Sequence, residues 1–239
     1  MELKVRDDLQ SEYENDYVEG QTEWRRIGAK GKFSNIITLT QGMTFEKILE
    51  VGAGDGSILK LLDIGFASQL FALEISENGI STIKNRNIKN LIEAVKFDGY
   101  KIPYPDNFFD LLILSHVLEH VEYPRALLRE MKRVSKFQVI EVPREYHHNI
   151  DRQINKYLAY GHISVYTPTY LRFLLKSEGF EIIKDKKGFY SNETLRFGKK
   201  GYKLLKINIF IIIRNIIYLL LPEWRKDTMV NWYTVLTKK

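Results

Sequence analysis

The 239-residue chain has no cysteine, so it offers no disulfide framework, no thiolate nucleophile and no cysteine-ligated zinc. Proline is sparse at 6 residues and glycine stands at 15; with 44% apolar and 28% charged residues, collagen-like, mucin-like and disordered classes are excluded. The opening Met1-Glu-Leu-Lys-Val-Arg-Asp-Asp8 has no apolar segment, so a cytoplasmic rather than a secreted protein is expected. No apolar run reaches the roughly 20 residues of a membrane span. The strongest candidate, Lys206–Leu221, is interrupted by Arg214 and Asn215. No repeat or low-complexity tract is visible.

Charge is present but uneven. The net charge is +6, and residues 181–239 hold 13 Lys/Arg against 5 Asp/Glu, whereas residues 1–180 are near neutral. A basic carboxy-terminal segment on a neutral body points to an anionic partner. Nucleic acid is not expected, because no continuous basic face with interleaved stacking aromatics is evident.

Short apolar runs alternate with amphipathic stretches from Lys47 onward. Strands are expected at 47–51, 69–75, 92–97, 109–114, 137–142, 180–186 and 229–236, with helices at 57–62, 77–86, 124–134 and 168–178. This βαβα rhythm predicts an α/β fold whose parallel sheet carries helices on both faces. Residues 1–45 read as an amino-terminal helical cap and 46–189 as the core. The polar, aromatic stretch 144–167 is too long for an ordinary connection and reads as a lid. Residues 190–226 read as a helical insertion and 227–239 as the last strand.

Between the first strand and first helix stands Ile48-Leu-Glu-Val-Gly-Ala-Gly-Asp-Gly56. Glycines 52, 54 and 56 let backbone approach a ligand at a helix amino-terminus. Their G-x-G-x-G spacing departs from the dinucleotide G-x-G-x-x-G, which argues against a nicotinamide dehydrogenase. Glu50 would repel a pyrophosphate and suits a cationic ligand. Glu74 ends the second strand, where a carboxylate can accept both hydroxyls of a ribose, and Asp98 follows the third, within reach of an adenine amine.

The stretch 48–121 resembles a class I S-adenosylmethionine (SAM) dependent methyltransferase. Glu50-Val-Gly-Ala-Gly-Asp-Gly56 is similar to its first motif, Ala72-Leu-Glu-Ile75 to its ribose-binding strand end, and Phe97-Asp-Gly99 with 102–121 to its adenine segment and fourth strand. The resemblance implies a Rossmann-like seven-stranded sheet with SAM across its carboxyl ends and S-adenosylhomocysteine (SAH) as product. It implies a cofactor site of Glu50, Gly52, Gly54, Glu74, Ile75, Asp98, Gly99 and Ser115, with His116 beside the sulfonium.

A hydroxyl acceptor needs a base, and all five histidines lie at or beyond residue 116. His120, His147 and His116 are the expected catalytic candidates, with Arg144, His148 and His162 as substrate-binding residues. His116-Val-Leu-Glu119-His120 places three ligand types on one face if a helix starts early enough. It resembles the Glu-x-x-Glu-His cation cluster of some quinone and small-RNA methyltransferases, with His116 replacing the first Glu. A divalent metal on His116, Glu119 and His120 is therefore a secondary expectation. Tyr157, Tyr160 and Tyr166 are further candidates for an acceptor pocket, and Thr167-Pro168 reads as a helix start.

The apolar segment 207–221 is apolar around nearly its whole circumference, which predicts burial on the sheet or against a second copy in a homodimer. Peripheral membrane contact is the lesser expectation. The expected activity is methyl transfer to a hydroxyl of a small anionic metabolite such as a sugar, a sugar nucleotide or another phosphorylated precursor of a surface glycan. A lipid, quinone or RNA acceptor is the alternative within the class. A non-catalytic partner subunit is the alternative outside it.

Overall fold

The computed structural model describes residues 3–5, 10, 14, 22–146 and 150–239. Helix α1 (Thr22–Leu39) leads into β1 (Phe45–Val51), α2 (Ser57–Leu62), β2 (Ala67–Glu74), α3 (Glu77–Asn85) and β3 (Leu91–Lys96). β4 (Phe109–Ser115), α4 (Pro124–Val134) and β5 (Ser135–Pro143) follow, then α5 (Ile154–Leu158), α6 (Pro168–Ser177) and β6 (Glu181–Gly188). Helices α7 (Asn192–Arg196), α8 (Gly201–Leu220) and α9 (Glu223–Lys226) precede β7 (Trp232–Lys238). The strands make one sheet in the order β3-β2-β1-β4-β5-β7-β6.

The central strands are unbroken apolar runs because both of their faces are covered. Ile48, Leu49 and Val51 of β1 and Leu111 to Leu114 of β4 are fully buried. One face packs against α4 and α6, the other against α1, α2 and α3. In α4, Leu127, Leu128, Met131 and Val134 turn inward, each worth roughly 1.5–3 kcal/mol of burial, while Arg125 and Arg129 stay exposed and pair with Glu178. α6 begins as its sequence indicates. Thr167 Oγ1 accepts the Tyr170 N–H at 3.1 Å, and Pro168 takes the first helical position. Thr167→Ala should cost about 1 kcal/mol and lower the melting temperature by roughly 2–4 °C in a thermal melt. An unchanged melt would mean that water replaces the cap.

The sheet is not parallel throughout. β1 to β5 run parallel, but β7 pairs antiparallel with both β5 and β6. The physical reason is the path of segment 190–226. It leaves β6 at Gly188 and returns at Trp232, which are paired residues, so the chain re-enters the sheet at the end where it left. β6 becomes the edge, and Lys184, Lys186 and Lys187 protect it.

Of the two kinds of burial expected for the apolar 207–221 segment, burial on the sheet is corrected. Within α8 only Ile211 and Arg214 are buried. The narrow stripe that docks holds Leu204, Ile207, Ile211, Arg214 and Tyr218, and the remainder of the helix is open.

Candidate active site

The strand order reverses between β1 and β4, and at such a switch point the carboxyl ends of parallel strands open a crevice. Here the crevice is a cavity of about 820 Å³, within the range of about 300–1,000 Å³ usual for small-molecule sites. Gly52 and Gly54 line it with φ of 67° and 58°, backbone that side chains rarely adopt. A Cβ on Gly52 would stand 2.5 Å from Val117 Cγ2.

Two carboxylates at the strand ends are held differently. Glu74 is buried, and three backbone N–H groups donate to it: Gly54 at 2.8 Å, Ile75 at 2.9 Å and Ser76 at 3.2 Å. Burial pushes its carboxyl upward and these donors pull it back. Glu50 is equally buried, but its Oε2 has no hydrogen-bond partner. Burial pushes its carboxyl up to about 8. The buried Ser115 Oγ likewise has no partner. Two unpartnered polar groups in a cavity lined by backbone-close glycines fit a cationic, hydroxyl-bearing ligand such as SAM. Gly99 and Ile75 line the same cavity. Asp98 stands in the turn that follows β3. Its carboxylate accepts the N–H groups of Tyr100 and Lys101 at 2.8 and 2.7 Å, capping the turn, and it does not line the cavity.

His116 and His120 line the cavity, but not on one helical face. Leu118–His120 is a single 3₁₀ turn, and His116 precedes it in the left-handed conformation with φ of 58°. That backbone turns the His116 ring toward β5, where Nε2 lies 3.1 Å from Glu141 Oε1. Its Nδ1 stays 3.7 Å from Glu119 Oε1. Among the described residues, Glu119, His120 and His162 bring ligand atoms within 4.8 Å of one another. His120 Nδ1 lies 3.0 Å from the Gly161 carbonyl and His162 Nδ1 lies 2.7 Å from Glu145 Oε2. The buried Glu119 carboxylate has no hydrogen-bond partner on either oxygen. Burial and the neighbouring His162 push His120 down to about 3, so its imidazole stays neutral and is a weak base.

Two acids that no motif marks, Glu141 and Glu145, hold His116 and His162. Glu141 accepts from Asn35 Nδ2 at 2.8 Å and from the Thr234 hydroxyl besides facing His116. Burial alone would raise its carboxyl, but His116 and Thr234 hold it below the usual range. The available signal was a lone acid inside the apolar run Val139-Ile-Glu-Val142. Glu145 had no such signal.

Trp24, Phe189, Tyr190 and Trp232 line the cavity too, as do Arg25, Lys32 and Lys186. Leu158, Gly161 and Ile163 of the expected lid also line it. This segment is tied to the core by Ile163 and Ser164 N–H groups donating to the Glu119 carbonyl. Arg144 and His162 are not among the lining residues, although Arg144 is half-buried and bridges Tyr166 through its backbone. His147 and His148 lie outside the described residues.

This sheet order, with its antiparallel β7 and a cleft at the ends of β1, β2 and β4, defines the class I methyltransferase fold. Residues 49–138 match the family described as the methyltransferase domain, so this part of the chain is a methyltransferase domain. A ubiquinone/menaquinone biosynthesis C-methyltransferase of Cupriavidus taiwanensis is 32% identical over 94 residues, covering 38% of this chain and 39% of that protein. The chain thus matches less than two thirds of the length of its curated relatives. A SAM-dependent methyltransferase of Archaeoglobus fulgidus superposes with a TM-score of 0.58 at 22% identity, covering 92% of this chain and 97% of the other. A chain from the Haloferax volcanii complex with the Trm112 methyltransferase activator gives 0.69 at 12% identity, covering 98% of each. At these identities the two structures establish the fold.

Gly52→Ala tests the turn. The new methyl meets Val117 in a left-handed backbone, so a loss of about 2–3 kcal/mol and of SAH-induced thermal stabilisation is expected. Adding Val117→Ala should recover only the part due to the collision.

Proposed function

We propose that this protein transfers the methyl group of SAM to a hydroxyl of a small anionic acceptor, such as a sugar, a sugar nucleotide or another phosphorylated precursor of a surface glycan. The observation that carries this reading is that three cationic side chains, Arg25, Lys32 and Lys186, line the same cavity. Positive charge in the cavity wall attracts an anionic acceptor.

SAM supplies an activated methyl group when bound. The chain's task is to orient the acceptor oxygen and take its proton. His116 is the best-placed base, because it lines the cavity and Glu141 orients its ring through Nε2. Its Nδ1 lies 3.7 Å from Glu119 Oε1, beyond hydrogen-bonding distance, and is the proton-accepting atom in this reading. His120, neutral and buried, serves as a hydrogen-bond acceptor. If a divalent ion binds, Glu119, His120 and His162 would hold it, and it would lower the pKa of a hydroxyl bound to it. His116→Ala should lower turnover by roughly 10²- to 10⁴-fold and leave SAM affinity intact, as read by initial rates and calorimetry. Undiminished turnover would remove His116 from the mechanism.

A second reading is favoured by the aromatic wall of Trp24, Phe189, Tyr190 and Trp232 together with the quinone-pathway names of the relatives. In it the acceptor is a ring carbon of a quinone precursor. Methyl transfer from radiolabelled SAM into cell extract separates the two. Label retained on an anion exchanger from the aqueous phase is the expected result, and label in the organic phase overturns the anionic acceptor.

A further inference from the structure

Helix α8 presents an apolar surface that nothing in the described chain covers. Tyr202, Leu205, Ile209, Phe210, Ile212 and Ile213 are each about half exposed or more, and Leu219 and Leu220 are 77% and 80% exposed. At 3.6 residues per turn they fall on one broad arc opposite the stripe that docks through Ile211 and Arg214. The helix is 20 residues long, about 30 Å, and among the described residues no helix is long and apolar enough to cross a membrane. Exposed aliphatic surface of this extent marks an interaction site.

The charges around it select the occupant. Between Thr194 and Pro222 the chain has six basic residues and no acidic one. Lys199, Lys200, Lys203 and Lys206 are exposed at the amino end, and Arg225 is exposed just past the carboxyl end. The acids that bracket the segment are already engaged, Glu193 with Lys30 and Glu223 with Lys226. Each end also carries an exposed aromatic ring beneath a cation: Lys206 over Tyr202 at 4.5 Å and Arg225 over Trp224 at 4.6 Å. Antiparallel pairing with a second copy would set the lysines of one helix against Arg225 of the other, and parallel pairing would set lysine against lysine. No carboxylate lies on the arc to offset either arrangement. A lipid surface with anionic headgroups accepts all of these features at once: tails for the aliphatic arc, headgroups for the cations, and the interfacial zone for Tyr202 and Trp224.

We propose that α8 is a bilayer-docking helix, lying in the plane of an anionic membrane surface with its exposed apolar arc set among the lipid tails. The helix is also joined to the cleft. Phe189, which lines the cavity, packs edge-on against Tyr218 at 5.0 Å and lies 4.1 Å below the Arg214 guanidinium. Docking therefore brings the wall of the cleft beside the membrane, whatever the acceptor is.

Vesicle flotation of the full chain tests this. Vesicles of phosphatidylcholine with 30% phosphatidylglycerol should carry the protein upward at 100 mM NaCl, less so at 500 mM, and phosphatidylcholine alone should not. Lys200→Gln with Lys203→Gln should weaken binding roughly 25-fold, about fivefold for each lysine. Ile212→Glu with Ile216→Glu should weaken it more than tenfold while melting temperature and SAH-induced stabilisation stay unchanged, because both side chains are exposed. Trp224 emission should shift to the blue on anionic vesicles, and Trp224→Phe should remove that shift. Absence of flotation by the folded protein, equal binding to neutral vesicles, or a dimer split by Ile212→Glu without vesicle binding would each overturn the proposal.

Discussion

Replacing Glu50 by Gln should raise the melting temperature of the ligand-free protein while weakening SAM binding by roughly 100-fold or more. Glu50 sits at the end of β1 with one carboxylate oxygen unpartnered, and burial lifts its carboxyl from an ordinary 4.5 to about 8. Folding therefore takes up a proton at this residue between those two values. Stability falls as pH rises through that window, because ionisation is easier in the unfolded chain. At 1.36 kcal/mol per pKa unit the cost reaches on the order of 3–5 kcal/mol by pH 8. Glutamine removes it, so the variant should melt on the order of 10 °C higher at pH 8 and close to wild type at pH 4.5. A cationic ligand reverses the preference by pairing with the ionised carboxylate, and breaking a buried pair costs about 3–5 kcal/mol. Calorimetry of SAM binding at pH 6.5 in buffers of differing ionisation enthalpy should show proton release by the wild type and none by Glu50→Gln. A variant that binds SAM normally, or that melts lower at pH 8, would contradict this account.

Glu74→Ala should weaken SAM binding to a similar degree but destabilise the ligand-free fold. The carboxylate accepts from Gly54, Ile75 and Ser76, so alanine leaves three backbone donors without their partner. An unmet buried donor costs about 1–3 kcal/mol, and water entering the open cleft will satisfy part of the set, so a net loss of roughly 2–4 kcal/mol is expected. Glu74→Gln keeps acceptor capacity and should recover much of the stability without the affinity. Two buried acids in one cavity thus give opposite stability changes. One is held by the backbone and the other waits for a ligand. Denaturant titrations of the two alanine and glutamine pairs would show whether the signs differ.

The sequence by itself determined the strand–turn–helix units and the cofactor end of the cleft. β1 and β4 are read from apolar runs that have no other use than burial on both faces, and Gly52, Gly54 and Glu74 act within 25 residues of one another. Local pattern is sufficient where the interacting groups are close in the chain. The helix start at Thr167-Pro168 was legible for the same reason.

Tertiary structure decided the rest. His116 meets Glu141 across 25 residues, and His162 meets Glu145 and His120 across 17 and 42 residues, pairings that spacing does not encode. The burial that lowers His120 to about 3 depends on that packing. The insertion of β7 between β5 and β6 follows from where segment 190–226 returns to the sheet, which hydropathy alone does not record. The same is true of α8. Its composition is that of a core helix, and only its docking through one narrow stripe leaves the apolar arc exposed, because a sequence states which side chains avoid water while the fold states which of them are left facing it.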